Sequence, residues 1–557
     1  MITLAEQKYI RGLIYVGAVA ISLFLTPNFS SEPVDLPKLL LLATLGGALF
    51  SFLMLNLKMF ALKKFRVILI LLGLLLLNFT FLLVNGAAPF NQQFYGTFGR
   101  NTGYIAYVSL ILVFLSTQFL TSAKTVRNVI YFILATAIAN CLYGFLQTTG
   151  NDPIKWNNPY NSLIGFLGNP DFASAFLGIG ASTVFSLLLS KSISNRNKAL
   201  IAFYELVSLY LIIKSHAQQG LIVMGAGIAL SLLIYLVKSK KISRVFLYLY
   251  LIVISLFGTV ILLGIFKIGP LAEKLYKVSV RQRGFYWHAA LEMMKKNPFS
   301  GIGIDSYGDN YLQYRSRNAE FFSSATQSNA AHNVFLDIGS NGGFPLLLIY
   351  VAINVYVAYR AVIKFRKSKE FEPFFVGAVV AWVGYQAQSI ISINQLGLAI
   401  WGWILGGLIV GYSFVGESEA EVNSNPKRRA KAKNSLSGGN IFLPLLGGLL
   451  GFLLVLPMFQ ADHSFRLATA SRNANDVIVA ATKNPIDVNR TLNAAQLLAN
   501  SHLGPQALEL AKKTVAENPK FYNGWVLISQ VTDLQSNDHK LAIKRMQELN
   551  PRDKKIK

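Results

Sequence analysis

Thirteen apolar stretches run through this chain, each close to the length of a bilayer span. The polar loops between them alternate between rich and nearly empty in Lys and Arg. A membrane-crossing helix needs about 20 apolar residues, and only a helix or a closed barrel satisfies its own backbone in hydrocarbon. The stretches lie near 9–26, 37–56, 67–84, 102–121, 128–147, 171–190, 199–213, 219–236, 245–266, 342–359, 371–391, 396–415 and 441–458. Only 14% of residues are charged, against about 25% in ordinary soluble domains. The expected fold is therefore an all-α polytopic membrane protein with about 13 transmembrane helices. The first stretch carries no cleavage-site pattern and opens a series, so it reads as an anchor and not as a removable signal.

A net charge of +26 would suggest nucleic acid in a soluble protein. Its distribution argues otherwise. The loops 57–66, 122–127, 191–198, 237–244, 360–369 and 416–435 hold 4, 2, 3, 4, 5 and 5 Lys and Arg residues. The intervening loops 27–36, 85–101, 148–170, 214–218 and 392–395 hold 0, 1, 1, 1 and 0. The positive-inside rule puts the first set in the cytoplasm, with the N-terminus, and the C-terminus outside a plasma (inner) membrane. The single cysteine, Cys141, lies in an apolar span, cannot form an intrachain disulfide, and reads as a packing residue.

The spans divide the chain into spans 1–9 (1–266), a large loop (267–341), spans 10–13 (342–458) and a tail (459–557). The loop predicts a helix over 283–296 ended by Asn297-Pro298, a glycine-marked turn, and a second helix from about 330 to 338. A long structured loop is more often a functional site than a connector. In the tail, Asn-Pro recurs at Asn484-Pro485, Asn518-Pro519 and Asn550-Pro551, 34 and 32 residues apart. This period is close to that of tetratricopeptide repeats. So few repeats bury little surface alone, so the tail is expected to lean on the membrane domain, with or without a protein partner. The segment 416–440, acidic at Glu417, Glu419 and Glu421 and then basic (PKRRAKAK), reads as a disordered cytoplasmic linker facing anionic lipid.

No Walker loop, HExxH, CxxC or GxSxG is present, so no cofactor or bound metal is expected. Ionisable residues inside the spans are scarce beyond Glu205 and Asp171, which disfavours an ion-coupled transporter. What remains is a set at one membrane level. Arg281 and Arg283 follow the ninth span, and Arg100 lies in the 85–101 loop. Lys214, His216 and Gln219 surround the turn before the eighth span, and His332 and Asn333 precede the tenth. Guanidinium groups suit phosphate oxygens, and a neutral imidazole suits general-base work. Equally, a lone loop arginine can be solvated and a histidine before a helix can serve as a cap. Tyr307, Tyr311, Tyr314 and Phe321 can line a sugar path or fill the core of the loop.

Five segments carry a resemblance. They are FGRNTGY (98–104), FLGNPDFASAFL (166–177), SHAQQG (215–220), RGFYWHAALEMMKKNPFSGIGIDSY (283–307) and AHNVFLDIGSNGG (331–343). In order and spacing they resemble the O-antigen ligase and O-antigen polymerase superfamily, lipid-linked-oligosaccharide transferases of the GT-C type. The likeness spans roughly residues 90–415. It implies a polyprenyl-pyrophosphate-linked saccharide as donor and a glycan, lipid or protein hydroxyl as acceptor. Arg283, with Arg281 and Arg100, would hold the pyrophosphate, supported by Lys214 and Gln219. His332 would take the acceptor proton, and Asn333 and His216 would orient the sugars. Two positions depart from the pattern: Gln219 stands where many members carry Arg, and Asn341 where they often carry Glu. A polymerase on the same fold, a flippase for the same lipid-linked sugars, and a membrane scaffold are the competing readings.

The charge pattern makes a direct prediction. An enzyme reporter active only outside the cytoplasm should be active when fused within 267–341 and silent within 191–198; the reverse result overturns the topology.

Overall fold

Each of the thirteen apolar stretches falls on a helix in the computed structural model, which describes residues 4–156, 158, 162–240, 242–323, 326–415 and 439–553. The helices are α1 (Leu4–Leu23), α2 (Asp35–Leu55), α3 (Arg66–Asn85), α4 (Phe90–Tyr95), α5 (Tyr104–Phe119), α6 (Ala123–Thr148), α7 (Pro170–Leu188), α8 (Asn195–Lys214), α9 (Gln218–Lys238), α10 (Arg244–Ile265), α11 (Ala272–Leu275) and α12 (Val278–Lys296). They continue as α13 (Tyr307–Tyr314), α14 (Arg317–Phe322), α15 (Val334–Lys367), α16 (Pro373–Ile391), α17 (Leu396–Tyr412) and α18 (Gly439–Ser471). The tail comprises α19 (Ala474–Ala481), α20 (Val488–Asn500), α21 (Gly504–Glu517), α22 (Tyr522–Val531) and α23 (Asn537–Leu549). No strand occurs among the described residues. Most of the segment read as a linker, 416–438, lies outside them.

Among the described residues, nine helices are long and apolar enough to cross a membrane: α2, α3, α6, α7, α9, α10, α15, α16 and α18. α5 and α17 are apolar but shorter. α1 and α8 are diluted by charge, with Glu6, Lys8 and Arg11 in one and Arg196, Lys198, Glu205 and Lys214 in the other. A helix apolar all round belongs in a core or in lipid, and the bundle uses both. α17 is buried from Leu396 to Gly411, whereas only Gly264 is buried in α10. α5, α16, α1 and α15 pack around α17.

The tightest crossing joins α2 to α18. A Cβ on Gly47 would strike the Gly447 carbonyl, and one on Gly447 would strike Ser51 and the Gly47 carbonyl. Small residues allow this backbone approach, which is how helices gain dispersion contact where lipid offers no hydrophobic drive. α18 runs well beyond the thirteenth apolar stretch and carries the tail out of the bundle.

Two loop helices differ from their expected bounds. α12 starts at Val278 instead of 283. α15 starts at Val334 instead of 330, because Asn333 Oδ1 accepts the N–H groups of Phe335 (3.0 Å) and Leu336 (3.1 Å) as an N-cap. α15 is broken at Gly343 (φ 70°, ψ −167°), a conformation that favours glycine.

The tail docks on the loop through its repeating asparagines. Asn518 Nδ2 donates to Asp309 Oδ2 (2.9 Å) and Arg315 Nη2 donates to Asn550 Oδ1 (3.1 Å). Lys520 Nζ reaches Asn310 Oδ1 (3.2 Å), and Asn91 Nδ2 reaches the Ile486 carbonyl (3.3 Å). Tyr522 packs against the loop's own core of Tyr286, Tyr307 and Tyr311. Trp525 instead fills the tail's core and donates to the Pro519 carbonyl (2.9 Å). The tail and the large loop thus share one end of the bundle.

Replacing Gly447 with Leu should separate α2 from α18 at a cost of about 1–3 kcal/mol. The check is a lower thermal midpoint in detergent, with α18 and the tail becoming protease-sensitive first.

Candidate functional site

At the end of the bundle that carries the loop, three helix termini meet. α7 begins with Asn169-Pro170-Asp171: the Asn169 side chain accepts the Asp171 N–H (2.9 Å), and Pro170 occupies the first turn. α9 starts beside it, with Gly220 packed on the Ser174 carbonyl. α16 ends there at Ile391. Arg283, projecting from α12, closes this corner. Its Nε donates to the Ile391 carbonyl (2.8 Å), an orphan acceptor at a helix C-terminus. Its Nη2 pairs with Asp171 Oδ2 (3.2 Å). Among the described residues Nη1 has no protein partner, and the Arg283 side chain keeps 18% of its surface exposed. In the first turn of α9, Gln219 is 3% exposed, and neither its Oε1 nor its Nε2 meets a partner among the described residues. An orphaned buried amide is costly unless a ligand or water satisfies it.

His332 sits over α12, its ring stacked on Tyr286 at 5.2 Å between centroids. Tyr286 is one helical turn after Arg283. Burial, then the positive charges of Arg283 and Arg100, push the His332 pKa down to about 4. The imidazole is therefore neutral at pH 7 and a weak base. Tyr286 rests on buried Tyr307 and Tyr311, and the Tyr307 hydroxyl donates to the Tyr286 carbonyl (2.8 Å). Tyr307 and Tyr311 thus form the core beneath the site and do not line a sugar path.

Arg100 is 4% exposed and held between two buried carboxylates, Asp305 and Asp337, each at 3.5 Å. Its Nη1 also donates to the Asn329 carbonyl. Burial lowers its pKa, and the two carboxylates more than reverse this. Asp305 further accepts the Thr97 N–H (2.7 Å) and the Thr102 hydroxyl (3.2 Å), and Asp337 accepts the Ala331 N–H (2.7 Å). Arg100 thereby ties three segments together, with Ala331 next to His332.

The other sequence-selected residues are spread around this centre. Arg281 is exposed, with its guanidinium over the rings of Phe322 (4.6 Å) and Phe285 (5.9 Å). Lys214 is exposed over Tyr210 (5.7 Å), and His216 is exposed. The Asn333 carboxamide oxygen is occupied by the α15 cap. Among the described residues, Asn101, His216, Asp305 and His332 are non-glycine residues with positive φ in the segments around this centre. Such backbone strain persists where packing over-determines it and clusters at working sites.

Asp171, Asp305, Asp337 and Tyr286 are the structural partners that sequence reasoning passed over. A usable signal existed for two of them: Arg100 is the lone cation of its loop, and Asp305 and Asp337 are acids lodged inside glycine-rich or apolar segments, where an unpaired charge would be prohibitive. A cavity also lies away from this centre. An apolar groove of about 540 Å³, lined by Phe24, Leu40, Phe452 and Phe459 among others, opens between the α1–α2 connection and α18.

Residues 203–351 match the sequence model of a family described as O-Antigen ligase. The matched segment contains the Gln219 turn, all of α12 with Arg283, and His332. No curated protein matches the chain.

Removing Arg100 should leave Asp305 and Asp337 buried without their counter-charge. Arg100→Met is expected to cost about 3–5 kcal/mol, read as a lowered unfolding midpoint in detergent. Adding Asp305→Asn and Asp337→Asn to that variant should recover part of the loss.

Proposed function

We propose that this chain, whose residues 203–351 match the sequence model of the O-antigen ligase family, transfers a glycan from a polyprenyl-pyrophosphate carrier to an acceptor hydroxyl on the outer face of the plasma membrane. The observation that carries this reading is the corner where Arg283 Nη1 and the orphaned amide of Gln219 stand beside the N-termini of α7 and α9. Helix N-termini present free N–H groups and positive potential to an anion. Arg283, already oriented by Asp171 and Ile391, stabilises the charge that develops as the sugar leaves lipid pyrophosphate. Gln219 supplies a neutral hydrogen bond in place of a second guanidinium. Arg100 acts through the frame it holds. Arg281, Lys214 and His216 form the exposed approach to the corner, where they meet phosphate or sugar as the donor enters.

His332 accepts the proton of the attacking hydroxyl, which adds to the anomeric carbon as the bond to pyrophosphate breaks. The neighbouring arginines weaken it as a base. Two bound phosphates would offset that field and strengthen it, so donor binding arms the base. Asn333 holds the start of α15 and with it the position of His332.

Ligase and polymerase reactions share this geometry and differ only in acceptor. The His332-Asn333 segment favours the ligase-type reading, with a lipid, a protein or a glycan as acceptor. A deletion strain that accumulates long lipid-linked chains confirms it; single lipid-linked units would assign polymerisation, and an unchanged outer pool with substrate trapped inside would assign a flippase.

Arg283→Ala should lower transfer by about 10²–10³-fold with normal membrane insertion; wild-type polymer in that variant removes the proposal. For His332, the free-enzyme kcat/KM should hold as pH falls past 6.5 and decline only toward about 4, since the competent form is the neutral imidazole. Loss of this limb in His332→Ala, with low residual activity, identifies the base.

A further inference from the structure

We propose that the turn that follows α12 and is fastened to the break in α15 is a headgroup-level seat for anionic phospholipid. The last turns of α12 expose Leu291, Lys295 and Lys296, and the following turn exposes Phe299 to 79%. This turn is fastened to the break in α15. The Phe344 N–H donates to the Pro298 carbonyl (2.8 Å), the Ile302 N–H to Ser340 O (2.9 Å) and the Gly303 N–H to Asn341 O (3.1 Å). A Cβ on Gly343 would collide with Pro298. Phe299 is thus held at the level where α15 enters the membrane.

From that level α15 presents Phe344 (42% exposed) and Leu348 (63%) outward. The end of α3 is alongside, since a Cβ on Gly342 would touch Leu82, and α3 exposes Val84 (76%). Phe90 (60% exposed) follows on the same connection, whose Ala88 lies against Gly303. These apolar side chains are continuous with the lipid-facing sides of two spans. Two lysines border them, Lys295 paired with Glu292 at 2.8 Å and Lys296 one turn after that glutamate. An exposed apolar rim with adjacent cations matches the acyl boundary and phosphate layer of an anionic leaflet. The partner that fits is lipid: the patch continues a surface that already faces hydrocarbon, and its charge complements the headgroups. The seat does not depend on the glycan-transfer reading, although it fixes the height of α12, and so of Arg283, relative to the phosphate plane.

The test uses the full-length protein with its one cysteine replaced (Cys141→Ala), a nitroxide label at Phe299→Cys, and a control label at tail position Leu534→Cys. The protein is reconstituted in phosphatidylcholine vesicles with or without phosphatidylglycerol. The seat predicts that the label at 299 is open to molecular oxygen and shielded from an aqueous nickel complex, while the label at 534 meets the nickel complex. Separately, native mass spectrometry should show retained phosphatidylglycerol falling about fivefold in Lys296→Gln, the effect of one cation near the surface, and further in Lys295→Gln/Lys296→Gln. A 299 label open to the nickel complex overturns the proposal. So does one shielded from both probes, which would mean a protein covers the turn, and so does undiminished phosphatidylglycerol retention in the double variant.

Discussion

A guanidinium buried between two carboxylates organises the working end of this protein. Arg100 leaves the loop before α5, Asp305 lies in the turn after α12, and Asp337 is in the first turn of α15. None of the three would be tolerated alone in such a place, because an unpaired buried charge costs several kcal/mol. Together they force three distant segments into one arrangement. Asp337 also takes the Ala331 N–H, so the backbone beside His332 is fixed by the same group that balances Arg100. The left-handed conformations of Asn101, Asp305 and His332 persist because this frame leaves them no alternative.

On that frame, two arginines of equal charge have different tasks. Arg100 is enclosed by protein, and its charge is balanced internally by Asp305 and Asp337. Arg283 is held on one edge by Asp171 and the Ile391 carbonyl and keeps another edge free. The difference arises from placement: Arg283 stands where two helices begin and one ends, so helix termini orient it without enclosing it. His332, stacked on Tyr286, feels both charges, and its basicity becomes responsive to any anion that enters.

The periphery supports the same geometry. The tail leans on the loop through Asn518 and Asn550, residues whose Asn-Pro pairing first marks them as helix punctuation. Its link to the bundle is α18, locked to α2 by facing glycines. The turn at Phe299 is bonded to the break in α15, so the end of the helix bearing Arg283 is fixed to that span.

Much of this is readable from the chain. Hydrophobic period and span length determine the helices, because each must satisfy its own backbone in hydrocarbon, and these are local requirements. The segments around Arg283, His332 and Gln219 carry enough pattern to mark them out. Burial and pairing are not local. The sequence does not show which of Arg100 and Arg283 is enclosed; only the packing shows one held between Asp305 and Asp337 and the other left partly open. Likewise Tyr307 and Tyr311 become core and Arg281 becomes surface through the way α12, α13 and α14 fold on each other. The chain alone determined the helices and the level at which each polar residue lies, since these follow from transfer of single segments into lipid. Tertiary structure alone decided which charges meet, because ion pairs depend on distances between segments up to 237 residues apart.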